Sequence, residues 1–305
     1  MNKDDGVAGR NHAGEPALVS VVIPTHNRPE LLRRALGSVI GQTYKRLEII
    51  VIDDASNVDV APVIESFHDD RIRFIRQDER QGAAAARNRG IEVSKGAYVA
   101  FQDDDDEWFS EKIAAQMEDL AKKDWRFKVS YCLGETQNHA EGTTKITSKN
   151  GWDGDHLEQL IAGEIRPCGI CFLIARECFQ KVGGFRLDLR RMQDRELWIR
   201  LAEHYQFAFL DRVLARIHVK HGPRISDNFQ DRMDAQSTIY RAHRKLFWRH
   251  RKALSDYFMN YGFELLDGGR NRQSRFQFAR AAVANPLRYE PYLALAISLR
   301  KRAQV

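Results

Sequence analysis

Residues 18–56 read LVSVVIPTHNRPELLRRALGSVIGQTYKRLEIIVIDDAS. LVSVVI (18–23) is a short, nearly all-apolar run rich in β-branched residues, the pattern of a strand buried on both faces. It is expected to stop at Pro24. Asn27 is expected to cap a helix with Pro29 and Glu30 in its first turn that runs toward Gly41. LEIIVID (47–53) reads as a second buried strand and ends in Asp53-Asp54. Two buried strands joined through a helix by short loops are the repeating unit of a parallel α/β sheet.

The pattern continues outward. A helix is expected around 58–68, a strand at IRFIR (72–76), an Ala-rich helix over 83–94 ending near Gly96, and a strand at AYVAF (97–101). In such sheets ligands bind beyond the carboxyl ends of the strands. Thr25 and Asn27, Asp53 and Asp54, and the run Asp103–Asp106 all fall at those exits. Segment 127–222 is mixed, with apolar runs at 170–174 and 207–210 and a helix from about Asp194 to His204. From about 226 the periodicity is helical, broken at Gly268-Gly269 and punctuated by Pro286 and Pro291. FARAAVANP is like one unit of a helical repeat, and a single unit makes no array. Residues 1–16 are polar and unpatterned and read as a loose tail.

Composition excludes several classes. A 305-residue chain that is 43% hydrophobic and 30% charged is too apolar for a disordered protein and long enough for a sizeable core. No run approaches the ~18 apolar residues of a membrane span, and MNKDDGVAGRNHAGEPA lacks the apolar segment of a secretory signal. The four cysteines (132, 168, 171 and 178) are too few for a disulfide scaffold and read as reduced thiols in a cytoplasmic protein. Net charge is +6, unevenly spread: from Arg216 onward 18 Lys/Arg face 7 Asp/Glu, and before it 30 face 35. An acidic front part argues against nucleic-acid binding there unless a cation intervenes. The basic tail clusters Arg244, Lys245, Phe247, Trp248, Arg249, Arg251 and Lys252, a mix suited to an anionic membrane surface, a polyanion or an acidic partner. A solvated helix face is the plainer alternative.

The loudest feature is Asp103-Asp104-Asp105-Asp106-Glu107. Like charges repel by about 1 kcal/mol per pair at 4 Å even in water. A hard divalent cation with oxygen ligands is a natural offset, and Asp103-x-Asp105 at a strand's end suits Mg²⁺ held by one or two carboxylates plus substrate phosphates. The plainer alternative is an acidic loop before the helix starting near Ser110. Asp53 or Asp54 at a strand exit could accept from a ribose or base, or simply form an Asx turn. Gly82-Ala-Ala-Ala-Ala-Arg87 opens a helix whose N-terminus favours anions, and Arg87 could reach a phosphate or be an ordinary helical cation. Asp194 starts RELWIRLAEHY as either an N-cap or an ionised general base. His218 and His221 lie in a basic loop, where surface residues and ligands are both common. Neither GxGxxG nor a Walker A motif is present, which speaks against a dinucleotide-binding protein or a P-loop NTPase. Cys168-Gly-Ile-Cys171 has no second pair at zinc-ribbon spacing and reads as structural.

Together these pieces resemble the family 2 inverting glycosyltransferases of GT-A fold. The resemblance runs from about Val19 to Ser226 and rests on VVIPTHNR (21–28), IIVIDDAS (49–56), GAAAARNRGI (82–91), AYVAFQDDDDEW (97–108), KVGGF (181–185), QDRELWIRLA (193–202) and HGPRIS (221–226). It implies a GT-A domain over 17–226, with a Rossmann-like, mostly parallel sheet flanked by helices, followed by a basic helical region over 227–305. It implies that Thr25 and Asp54 hold the nucleotide base, with Asp53 supporting that loop and Asn27 among the donor-binding residues. Asp103 would lie near the ribose with Asp104 beside it, and Asp105 would bind Mn²⁺ or Mg²⁺ on the donor diphosphate. Arg87 would lie near the phosphates, Asp194 would act as catalytic base, and His221 would approach the metal or diphosphate.

Two departures bear on the acceptor side: Gln193 stands where the family usually has an acid, and Arg186-Leu187 stand where Asp-Glu is common. The long membrane segments of processive relatives are missing. The resemblance therefore implies a distributive, metal-dependent enzyme that moves one sugar from a nucleotide-sugar, UDP-linked by expectation, to a saccharide or lipid-linked acceptor. Its expected place of work is the cytoplasmic face of the membrane, in surface-polysaccharide synthesis. The rival reading is a catalytically silent module that holds a partner through its basic tail.

Overall fold

The computed structural model describes residues 16–147, 151–165, 168–219 and 228–300. The chain divides into two compact units: Met1–Asp155, Pro167–Leu187 and Arg200–Gly222 form one, and His156–Arg166, Asp188–Ile199 and Pro223–Val305 form the other.

Unit 1 is built on β1 (Val19–Thr25), β2 (Leu47–Asp53), β3 (Ile72–Arg76) and β4 (Tyr98–Phe101), joined through helices α1 (Pro29–Ile40), α2 (Ala61–Glu65) and α3 (Ala83–Val93). These four strands are parallel in the order β3-β2-β1-β4. Every residue of β1 and β2 is buried, as their largely apolar character requires, and the polar Ser20 and Glu48 within them are hydrogen-bonded to each other. Helix α3 lies close on β1: a Cβ on Gly90 would stand 2.2 Å from Cγ1 of Val22, so only glycine permits this approach.

β1 runs past the expected stop, through Pro24 to Thr25. Val22 O accepts from Gln102 N, so Val22 and Pro24 turn the same edge toward β4, yet the β1–β4 pairing ends at Val22. The missing proline N–H therefore faces a position where no ladder bond is due. Helix α2 is shorter than its sequence pattern suggested, and the other elements of this half match their readings within a residue or two.

Beyond β4 the sheet becomes mixed. It continues through β8 (Phe172–Ala175), β6 (Val129–Asn138), β9 (Phe207–Val219) and β5 (Glu107–Trp108), with β7 (Thr143–Thr147) pairing β6. β4 meets β8 antiparallel, and β6 and β9 are parallel. Helices α4 (Lys112–Lys122) and α6 (Glu177–Val182) complete the unit. Cys168–Cys171 forms the tight turn that enters β8, and all four cysteines are free thiols.

Unit 2 is helical: α5 (Leu157–Ala162), the start of α7 (Gln193–Ala202), α8 (Phe229–Ala242), α9 (Arg244–Arg249), α10 (Arg251–Asp267), α11 (Asn271–Ala284) and α12 (Glu290–Arg300). Its core is aromatic: Tyr240, Phe247, Tyr257 and Phe258 are linked by edge contacts, with Tyr240 stacked on Tyr257. Helices α10 and α11 pack closely at Gly262, where a Cβ would meet the Phe278 ring at 2.4 Å. The basic-aromatic cluster expected on one surface is split by this packing. Phe247 is fully buried, and Arg251 donates to the carbonyls of Val283 and Ala284.

Candidate active site

The exits of β1, β2 and β4 lie side by side because the parallel register pairs Thr25 with Asp53 and Val22 with Phe101. Asp53 is fully buried. Its Oδ1 accepts from Ser56 N (3.1 Å) and the Ser56 hydroxyl, and its Oδ2 accepts from Arg76 Nη1 (3.1 Å). Asp53 thus ties the exit of β2 to that of β3.

Asp54 donates its N–H to Thr25 O, and its two carboxylate oxygens accept from Gln81 N (2.7 Å) and Gly82 N (2.8 Å). Gly82 precedes α3 with φ +90°, a left-handed conformation that favours glycine. The anion-favouring amides before α3 therefore already hold a carboxylate of the chain itself. One further lone pair remains on each Asp54 oxygen.

Asn27 does not cap α1. The N-cap is Arg28, with no side-chain capping bond. Asn27 takes φ +57°, which asparagine tolerates better than most residues. Its Oδ1 accepts from Asn57 N (2.6 Å), and its N–H donates to Ser56 Oγ (2.8 Å). The side chain is thereby committed to the loop after β2, which supports that loop directly.

The acidic run is balanced largely by arginines. Arg87, on α3, pairs Asp103 at 2.5 Å and lies 5.4 Å from the Phe185 ring centroid. Arg28 pairs both Asp104 (3.1 Å) and Asp105 (3.2 Å), and Arg34 donates to the Asp105 carbonyl. Asp104 is buried and also accepts from Thr25 Oγ1 at 2.8 Å. Burial pushes its carboxyl up to about 6, and the Asp105 charge adds to that, while Arg28 and the Thr25 hydroxyl hold it back. Asp105 is 37% exposed and its partner Arg28 42%. An exposed carboxylate with an exchangeable counterion fits a hard cation that needs one or two protein oxygens and takes the rest from a diphosphate. Among the described residues, no group of three or more His, Cys, Asp or Glu is arranged to hold a metal unaided.

Past the run, β5 pairs β9, and His218, expected in a basic loop, is instead a buried residue of β9 that this pairing brings to the acids. His218 N donates to Asp106 Oδ1 (3.0 Å), its Nε2 meets Glu107 Oε2 (2.5 Å), and its Nδ1 meets His139 Nε2 (2.8 Å). The two imidazoles stack with centroids 5.1 Å apart. Burial lowers the His218 pKa, Arg34 and His139 act in the same direction, and Glu107 opposes them. His139 was not singled out by sequence reasoning. It reaches the site only because β6 and β9 run in register to Asn138 and Val219. His221 lies outside the described residues.

In unit 2, Asp194 stands in the first turn of α7. The residues that follow it hold that turn in place. Arg195 donates to Leu160 O (3.0 Å) and Ile161 O (2.7 Å), and fully buried Glu196 bonds His243 Nε2 at 2.8 Å. Gln193 Nε2 donates to Leu189 O.

Comparison with known proteins agrees with this architecture. The family model described as "Glycosyl transferase family 2" matches residues 20–183, just over half of the chain. The chain is 26% identical over 244 residues to WcaA of Escherichia coli K12, named for colanic acid biosynthesis, covering 77% of this chain and 84% of that one. It is 40% identical over 100 residues to the Escherichia coli UDP-Glc:alpha-D-GlcNAc-diphosphoundecaprenol beta-1,3-glucosyltransferase WfaP, covering 33% and 40% respectively. It spans less than two-thirds of the length of several curated relatives. The crystal structure of Staphylococcus aureus TarS 1–349 in complex with UDP-GlcNAc superposes with a TM-score of 0.68 at 15% identity, covering 88% of this chain and 81% of that one. By motif, architecture and family match together, the chain belongs to glycosyl transferase family 2.

Proposed function

We propose that this chain transfers one sugar from a UDP-linked donor to a hydroxyl of a saccharide or lipid-linked acceptor, with inversion, in the assembly of a surface polysaccharide. The observation that carries the reading is the convergence of Thr25, Asp53, Asp54, Arg87 and Asp103–Asp105 at one end of the parallel strands. The names of WcaA and WfaP and the UDP-GlcNAc complex of TarS support the donor and acceptor classes. The proposed setting is the cytoplasmic face of the membrane. Among the described residues no helix is long and apolar enough to cross it.

Each residue then has a task. Asp54, through its remaining lone pairs, and Thr25 receive the base, on a loop that Asp53 and Asn27 hold. Asp103 lies by the ribose and Arg87 by the phosphates. Asp105 holds Mn²⁺ or Mg²⁺, with Asp104 behind it. A divalent cation there would offset charge developing on the departing nucleoside diphosphate. Asp194 takes the proton from the acceptor hydroxyl as it attacks the donor carbon from the face opposite the leaving group. For His221 the proposed role is an approach to the diphosphate.

The test is thermal stabilisation by UDP, GDP, CDP and dTDP, each with Mn²⁺ and with EDTA. At 100 times its dissociation constant a ligand adds roughly 2.7 kcal/mol. The expected result is a shift with UDP that shrinks in EDTA, and about tenfold weaker UDP binding in Asp105→Asn with Mn²⁺ but not in EDTA. A protein that no nucleotide stabilises would overturn the reading.

A further inference from the structure

We propose that the exposed face of α12, with the loop that leads into it, docks on an anionic lipid surface. A helix at the surface of a globular domain normally turns its large apolar residues inward. Helix α12 does the opposite. Its buried positions are Pro291, Ala294 and Ser298, with Leu295 half-buried, whereas Leu293 and Leu299 are more than half exposed and Tyr292 and Ile297 nearly so. At 3.6 residues per turn, Tyr292, Leu293, Ala296, Ile297 and Leu299 share an arc of about 160°. Those five are uncharged, and the one charged position on that arc is Arg300, at the last residue of the helix. Leu287 and Tyr289, just before the helix, are 99% and 71% exposed.

This face belongs to an anchored element. Arg275 donates to Ser298 O at 3.0 Å, and Arg288 pairs both Asp256 and Glu290, which fixes the loop at the helix's start. The chain thus holds a helix firmly with its apolar side outward.

The charge around the face selects the occupant. From Asn271 onward the sequence has seven Lys/Arg and a single acid, Glu290, which is committed to Arg288. The sequence after Leu299 reads Arg-Lys-Arg. A second copy would bring like charge against like charge. An interfacial helix combines an apolar arc, tyrosines at the water boundary and cations at its ends and flanks drawn to anionic headgroups. Those features are all present, so a lipid surface satisfies both the apolar and the cationic requirement.

The test is co-sedimentation of the full chain with phosphatidylcholine vesicles, with and without a third of phosphatidylglycerol, comparing wild type with Leu293→Ser/Ile297→Ser. Both positions are exposed, so an unchanged thermal midpoint confirms folding. The wild type is expected to partition at least tenfold better onto the anionic vesicles, and the double variant to lose about tenfold of that binding. The UDP shift of the two proteins should be equal, which separates this proposal from the transferase reading. Equal partitioning onto both vesicle types, or undiminished binding of the variant, would overturn it. A solution dimer that the substitutions dissolve, or retention on polyglutamate in place of vesicles, would also overturn it.

Discussion

Replacing Asp194 with Asn is expected to lower sugar transfer by roughly 10²–10⁴, the usual contribution of a general base, while leaving stabilisation by UDP unchanged. Asn matches Asp in size, and the first turn of α7 is held by neighbours: Arg195 on the carbonyls of Leu160 and Ile161, and Glu196 on His243. The substitution therefore removes basicity with little change of shape. A first-turn carboxylate also sits where the helix macrodipole favours negative charge. The effect should fall on kcat, with the donor KM nearly constant, because the lost interaction matters only as the acceptor proton departs. Undiminished transfer by Asp194→Asn would remove this residue from the role of base.

The parallel half of the fold was legible because β1 and β2 are buried on both faces, which makes their sequences largely apolar, with Ser20 and Glu48 as a mutually bonded exception. The donor-site candidates were legible for a related reason: a polar residue directly after such a run must lie at a strand exit. Two local details escaped. Pro24 looked like a stop, but the β1–β4 pairing ends before it, so its missing N–H breaks nothing. Asn27 looked like a cap, yet its carbonyl serves the loop after β2, 30 positions away in the chain. Capping chemistry and long-range loop bonding use the same side chain, and one sequence does not distinguish them.

The counterions of the acidic run were hidden more deeply. Arg28 and Arg34 lie more than 70 positions from the carboxyl groups and carbonyl they serve. His139 and His218 meet across 79. No local spacing encodes such pairs, since they follow from sheet register. Their presence changes how the run is read. Four consecutive aspartates suggested charge waiting for a cation, whereas the chain already supplies positive groups to most of it. Asp105 and Arg28 form its most exposed pair, which makes this the place where an incoming cation and diphosphate would meet least resistance.

Asp104 carries the cost of this arrangement, and that cost depends on pH. Its carboxyl is pushed from the ordinary 3.8 to about 6, chiefly by burial. A raised native pKa means that the folded state holds the proton more tightly than the unfolded chain does. The stabilisation from protonated Asp104 is thus complete below about pH 4 and is lost as pH rises through about 6. That upward move corresponds to about 3 kcal/mol. Asp104→Asn resembles the protonated form, because its carbonyl can still accept from Arg28 and its amide can donate to the Thr25 oxygen. In EDTA, the variant and wild type should unfold at similar denaturant concentrations near pH 4, and the variant should be the more stable by up to about 3 kcal/mol at pH 8. Added Mn²⁺ should narrow the gap at pH 8, since a cation beside Asp105 favours the ionised neighbour. A difference between the two proteins that stays constant from pH 4 to pH 8 would mean that Asp104 does not titrate in this range, and its burial behind Asp105 would then carry no penalty for a cation to relieve.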